Sequence, residues 1–69
     1  EVDCFYHDSN HSYEHMTWEF NEAYPRIRPG GVLLSDDITE NAAWDEFAAA
    51  AEAPSARINR TGVLLKPDA

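Results

Sequence analysis

Apolar and polar positions along the chain change period several times, and each change marks an element. Val2, Cys4, Phe5 and Tyr6 form a nearly continuous apolar run with Asp3 as its one polar interruption, which predicts a short strand covered on both faces. The run stops at Asp8. From Tyr13 onward the spacing becomes helical: Tyr13, Met16, Thr17, Phe20, Ala23, Tyr24 and Ile27 recur on one face. Ser9, Asn10 and Ser12 are available as caps, Glu14 suits the positive end of the helix dipole, and Pro25 predicts a stop around Tyr24 to Ile27. Arg28-Pro29-Gly30-Gly31 has the composition of a turn, and Gly31 to Ser35 reads as a second strand ending at Asp36 and Asp37. Thr39 or Asn41 can cap a second helix with Ala43, Trp44, Phe47, Ala48 and Ala51 on its apolar side and Asp45, Glu46 and Glu52 facing water. Ala53-Pro54-Ser55 breaks that helix. Ala56-Arg57-Ile58 and Gly62-Val63-Leu64-Leu65, separated by Asn59-Arg60-Thr61, predict a terminal hairpin that Pro67 ends.

The order is therefore β-α-β-α-β-β, an α/β arrangement. A strand, a crossover helix and a parallel strand connect right-handedly in nearly all folds, so the first two strands are expected side by side. Both then end at one edge of the sheet, where open α/β folds bind ligands, and they deliver Asp8, Asp36 and Asp37 to it.

Length and charge narrow what such an edge can do. Sixty-nine residues make at most one small domain, with no internal repeat and no linker to divide residues 1–69. Five basic and 13 acidic residues give a net charge of −8 with no Lys/Arg cluster, which argues against nucleic acid and against an anionic membrane surface. No apolar run approaches the roughly 20 residues of a membrane span. Cys4 is the single cysteine, so no intrachain disulfide forms, and its place in an apolar run predicts a buried, inert thiol. Asn10-His11-Ser12 and Asn59-Arg60-Thr61 match the glycosylation sequon, but no signal peptide stands beside them and such tripeptides are common by chance. The expectation is a cytoplasmic protein. The chain opens on Glu1 rather than Met, one residue before a strand, which reads as the middle of a larger fold.

Three carboxylates in one place repel one another unless a cation binds, and hard oxygen donors suit Mg²⁺, Mn²⁺ or Ca²⁺. A metal held there would orient a hydroxyl and lower its pKa. His11, three residues past Asp8, is the candidate base, since imidazole titrates near neutrality. His7 is expected on the opposite side of its strand from Asp8, and His15 one turn up the helix as a supporting residue. Other readings of the same residues exist. An Asp at a strand end also serves as a turn residue or cap, and three histidines within nine residues could bind zinc, though the carboxylates fit a hard metal better. Ser9, His11 and Asp8 lie too close in sequence for a nucleophilic triad. Trp18 and Trp44 read as packing residues, and Gly30-Gly31 as a turn rather than a phosphate cradle, which would need a helix N-terminus after it.

Taken together, Asp8-Ser9-Asn10-His11-Ser12-Tyr13-Glu14, a helix, Arg28-Pro29-Gly30-Gly31-Val32-Leu33-Leu34 and Asp36-Asp37 resemble the second half of class I S-adenosylmethionine-dependent methyltransferases. The nearest branch is the metal-dependent O-methyltransferases acting on sugars and related hydroxyls in natural-product pathways. The likeness runs from Val2 to Pro67. It implies a partial Rossmann-like methyltransferase sheet in which this chain supplies strands four to seven, the last two an antiparallel hairpin. It also implies Asp8, Asp36 and Asp37 as ligands of Mg²⁺ or another divalent cation, His11 as the base, and a small-molecule hydroxyl as acceptor. The family's first three strands, with the residues that hold S-adenosylmethionine, have no counterpart here, so these residues alone are expected neither to bind the donor tightly nor to turn over. An uncovered first strand is expected to make homo-oligomers through Val2 to Tyr6. The competing expectation is a stand-alone oligomerising or metal-binding module without catalysis. An unrelated flavodoxin-like binding fragment is a third, because a fold does not fix a function.

Overall fold

A computed structural model describes residues 2–8 and 12–68. The elements follow the order β1 (Val2–His7), α1 (Tyr13–Ala23), a 3-10 turn (Tyr24–Arg26), β2 (Ile27–Ser35), α2 (Ala43–Ala51), β3 (Ser55–Ile58) and β4 (Thr61–Leu65). They build one four-stranded sheet ordered β1-β2-β4-β3. β1 and β2 are parallel, β4 is antiparallel to both β2 and β3, and β3-β4 is the expected hairpin.

Local chemistry explains the boundaries. Of the three candidate caps for α1, Ser12 is the N-cap, its hydroxyl accepting from the His15 N–H at 3.2 Å. The Tyr24 N–H still donates to the Phe20 carbonyl, but Pro25 has no N–H to give, so the chain tightens into the 3-10 turn and leaves extended at Ile27. At α2 the Asn41 side chain, not Thr39, accepts the Ala43 N–H at 2.8 Å, and Glu52 ends the helix in the left-handed region at φ 53°. Among the described residues, no helix is long and apolar enough to cross a membrane.

Arg28-Pro29-Gly30-Gly31 departs from the expected turn, because β2 begins at Ile27 and includes it. Ile27 pairs with Val2 and Val32 with Cys4, so β2 advances five residues while β1 advances two, and the excess bulges out. Gly30 makes the bend at φ 84°, a value that costs a residue with a Cβ. Two bonds tie the bulge to the chain end: Gly30 N–H to the Lys66 carbonyl at 2.8 Å and Lys66 N–H to the Gly31 carbonyl at 2.9 Å.

The core lies on one side of the sheet. Met16 and Phe20 of α1, Ala43 and Trp44 of α2, Ile38 of the intervening loop, and Ile27, Leu33 and Leu64 of the strands are all buried there. Phe20 is its centre, meeting the Trp44 ring edge-on at 5.6 Å and the Phe47 ring at 5.5 Å. The register places Cys4, Val32 and Leu65 in one row and Tyr6, Leu34, Val63 and Ala56 in the next, all on the other side. No helix among the described residues covers that side. Two expectations are corrected by it: β1 is covered on one face rather than both, and Cys4 is exposed rather than buried, because α1 and α2 share the opposite layer. Tyr13, expected on the apolar face of α1, is likewise exposed, with its hydroxyl donating to the Glu46 carboxylate of α2.

Two outcomes follow from this packing. A Cβ on Gly62 would sit 2.6 Å from Trp44 Cζ2, inside a ring that is 3% exposed and cannot retreat. Gly62→Ala is expected to lower stability by about 1–3 kcal/mol in chemical denaturation. The Tyr13 phenol is held above its ordinary value of 10.0, first by its hydrogen bond to Glu46 and then by that carboxylate's charge. A raised folded pKa means the contribution is complete below the unfolded value and is lost as pH climbs through the folded one. The stability difference between the native chain and Tyr13→Phe should therefore hold steady up to about pH 9 and shrink above pH 10 in pH-dependent melts.

Candidate functional site

The parallel register carries the two strand ends into step. His7 stands opposite Ser35, so Asp8 and Asp36 are the next residues on neighbouring strands, and the Asp36 N–H donates to the His7 carbonyl at 3.1 Å, extending the ladder by one rung. Asp37 then turns the chain with φ 54°, and its carboxylate lies 3.7 Å from Arg60 Nη2. The loop after it is anchored by Ile38, whose N–H donates to the Arg60 carbonyl at 2.9 Å.

The phenol of exposed Tyr6, on β1, stands two residues before Asp8. Its pKa is raised above 10.0 first by partial desolvation and then by the charges of Asp36, Asp8 and Asp37. Asp8 and Asp36-Asp37 thus follow two neighbouring strands at one edge of the sheet, but among the described residues they are not a set whose ligand atoms lie within 4.8 Å of one another. Asp8 is exposed, and Asp36 and Asp37 are half-buried. An all-oxygen set that is open to solvent suits a cation which keeps some of its water, as Mg²⁺ and Mn²⁺ do. His11, the expected base, falls in residues 9–11, outside the described residues.

A second group, which sequence reasoning did not assemble, lies on the covered side of β1. His7 is fully buried beneath α1, on the side of β1 opposite the Tyr6 row, with its ring edge-on to Phe20 at 5.5 Å. His7 Nε2 is 3.4 Å from Glu19 Oε1, and His15 Nε2 is 3.6 Å from Glu19 Oε2. Ser35 Oγ stands 3.5 Å from His7 Nδ1. Among the described residues, this is the set of three metal-ligating side chains whose ligand atoms all lie within 4.8 Å of one another. The available signal was the four-residue spacing of His15 and Glu19, one helical turn, on a helix that crosses over His7.

A groove between α1 and β1, lined by Val2, Phe5, Trp18, Glu19, Glu22, Ala23 and Arg26, includes none of the three aspartates. The chemistry of the carboxyl edge is separate from it.

No curated protein and no solved structure matches the chain. One family model, described as a methyltransferase domain, matches residues 1–38. That stretch contains β1, α1 and β2, and with them Asp8, His11, Asp36 and Asp37. It spans more than half of the 69 residues, and the chain therefore belongs to the methyltransferase-domain family.

Proposed function

We propose that this chain forms the acceptor side of an S-adenosylmethionine-dependent O-methyltransferase site, with Asp8, Asp36 and Asp37 holding a divalent cation and His11 serving as the base. The observation that supports the reading is the parallel register that ends β1 and β2 in step, so that Asp8 and Asp36-Asp37 follow neighbouring strands at one sheet edge inside the family-matched segment.

When bound, S-adenosylmethionine would supply an electrophilic methyl group and Mg²⁺ a positive charge that favours the acceptor's alkoxide form. The three carboxylates would hold that charge at the sheet edge, and their partial exposure leaves room for the acceptor's oxygen. His11 would take the proton as the oxygen–carbon bond forms and the carbon–sulfur bond breaks, a role ordinarily worth about 10²- to 10⁴-fold in rate. The acceptor is a small molecule bearing a hydroxyl. None of the residues named here is proposed to bind the donor.

A second reading is favoured by the uncovered sheet face, where Tyr6 is 51% and Leu65 46% exposed, and by the outer edge of β1, which has no strand beside it among the described residues. Such an edge is a template for another strand. In this reading two copies pair through Val2 to Tyr6, and the chain works as an oligomerising or metal-binding module without catalysis.

Each reading has its own measurement. With carbon-labelled tyrosine, the Tyr6 resonance should titrate above pH 10, and Asp36→Asn should lower that pKa by removing the carboxylate charge that raises it most. Mg²⁺ should lower it as well in the native chain and have no effect on Asp36→Asn; an unchanged Tyr6 titration at millimolar Mg²⁺ would sink the carboxylate site. For the enzyme, His11→Ala in the full-length protein should cut methyl transfer by about 10²- to 10⁴-fold. Sedimentation velocity tests the second reading, which does not survive a monomer across the micromolar to millimolar range.

A further inference from the structure

We propose that His7, His15 and Glu19 form a transition-metal site, with Zn²⁺ the expected occupant, that staples α1 to β1. It is distinct in donor chemistry from the all-carboxylate edge and does not depend on the methyltransferase reading.

The geometry comes first. Zinc bonds of about 2.0–2.1 Å to nitrogen and oxygen, set at tetrahedral angles, put neighbouring ligand atoms about 3.3–3.4 Å apart. The two imidazole-to-carboxylate separations are 3.4 and 3.6 Å, each to a different oxygen of Glu19, and one ligand atom from each of the three side chains lies within 4.8 Å of the others, so modest side-chain adjustment brings them to the spacing that one ion would impose. Both histidines turn the same nitrogen, Nε2, toward Glu19.

Donor type selects the metal. Two imidazoles and one carboxylate favour Zn²⁺, Co²⁺ or Ni²⁺ over Mg²⁺ and Ca²⁺, and three protein ligands leave a fourth position for water. The ligands sit on two different elements and are graded in access: His7 is fully buried, while the Glu19 and His15 side chains are 21% and 33% exposed, which provides a route for an ion. Ser35 completes the arrangement. With Nε2 as ligand, His7 Nδ1 carries the proton and points it at Ser35 Oγ, the outer contact that fixes a metal-binding imidazole's orientation.

The site has a mechanical consequence. β1 is an edge strand of a small sheet, held from one side by α1, and small domains gain most from a cross-link between elements. An ion bound by His7 from the strand and His15 and Glu19 from the helix would be such a cross-link. Without an ion, Glu19 lies between two imidazoles, and that arrangement alone is the competing account.

Co²⁺ titration decides between them, because a tetrahedral Co²⁺ site gives intense visible bands that Zn²⁺ displaces. The proposal expects one equivalent of Co²⁺ bound with those bands, their loss in both His15→Ala and Glu19→Gln, and their retention in Asp36→Asn. The two loss variants change partly exposed residues and should stay folded, which circular dichroism checks. Zn²⁺ at a hundredfold excess over its Kd should raise the melting temperature by about 10–20 °C, reversibly with a chelator. Absence of the bands, their survival in His15→Ala, or a melting temperature indifferent to Zn²⁺ would overturn the site and leave a carboxylate-bridged imidazole pair. Loss of the bands in Asp36→Asn would overturn it too, by assigning the metal to the carboxyl edge.

Discussion

The parallel pairing of β1 with β2 through α1 is the constraint on which the rest of the structure depends. The crossover lays α1 on one face of the pair, and α2 packs beside it through Phe20, Trp44 and Phe47. Once both helices share a layer, one set of alternate strand residues becomes core and the other becomes surface. Leu33 and Leu64 are fully buried on one side while Tyr6 and Leu65 stand half exposed on the other.

The same alternation separates two chemistries that adjoin in sequence. His7 and Asp8 are consecutive, yet His7 faces the helix layer and Asp8 belongs to the edge where the Tyr6 phenol senses charge. The His7 imidazole is buried against α1, with the partly exposed Glu19 and His15 beside it. Carboxylate oxygens gather at the wet edge. A buried imidazole needs close polar partners, whereas carboxylates at an open edge are solvated by water.

How much of this was legible follows from which signals are local. The side-by-side ending of β1 and β2, just before Asp8 and Asp36, was readable because strand ends are marked by an abrupt change from apolar to charged, and one topological rule brings two such ends together. The β-α-β-α-β-β order and the terminal hairpin were readable for the same reason. Cys4 was misplaced because a continuous apolar run looks alike whether one face or both are covered; that depends on what packs there. Arg28-Pro29-Gly30-Gly31 has turn composition, but its partners are Asp3, which pairs with Arg28, and the backbone of Lys66, neither visible locally. The His7, His15 and Glu19 group needed a strand residue and a helix face to be superimposed, which spacing along one element cannot do.

The uncovered face bears on both proposed readings through a single question of burial. Cys4, Val32 and Leu65 in one row, and Tyr6, Leu34 and Val63 in the next, form a mostly apolar surface next to the carboxyl edge. Apolar rows of this kind are stable against another layer, and any layer laid on them would approach Tyr6 and the three aspartates from the solvent side. Covering the face would desolvate those carboxylates and increase their mutual repulsion, and a cation among them would relieve it. Occupancy of the face and metal binding at the edge should therefore reinforce each other. That coupling holds whether the covering layer is a second copy of this chain or further structure of a larger methyltransferase.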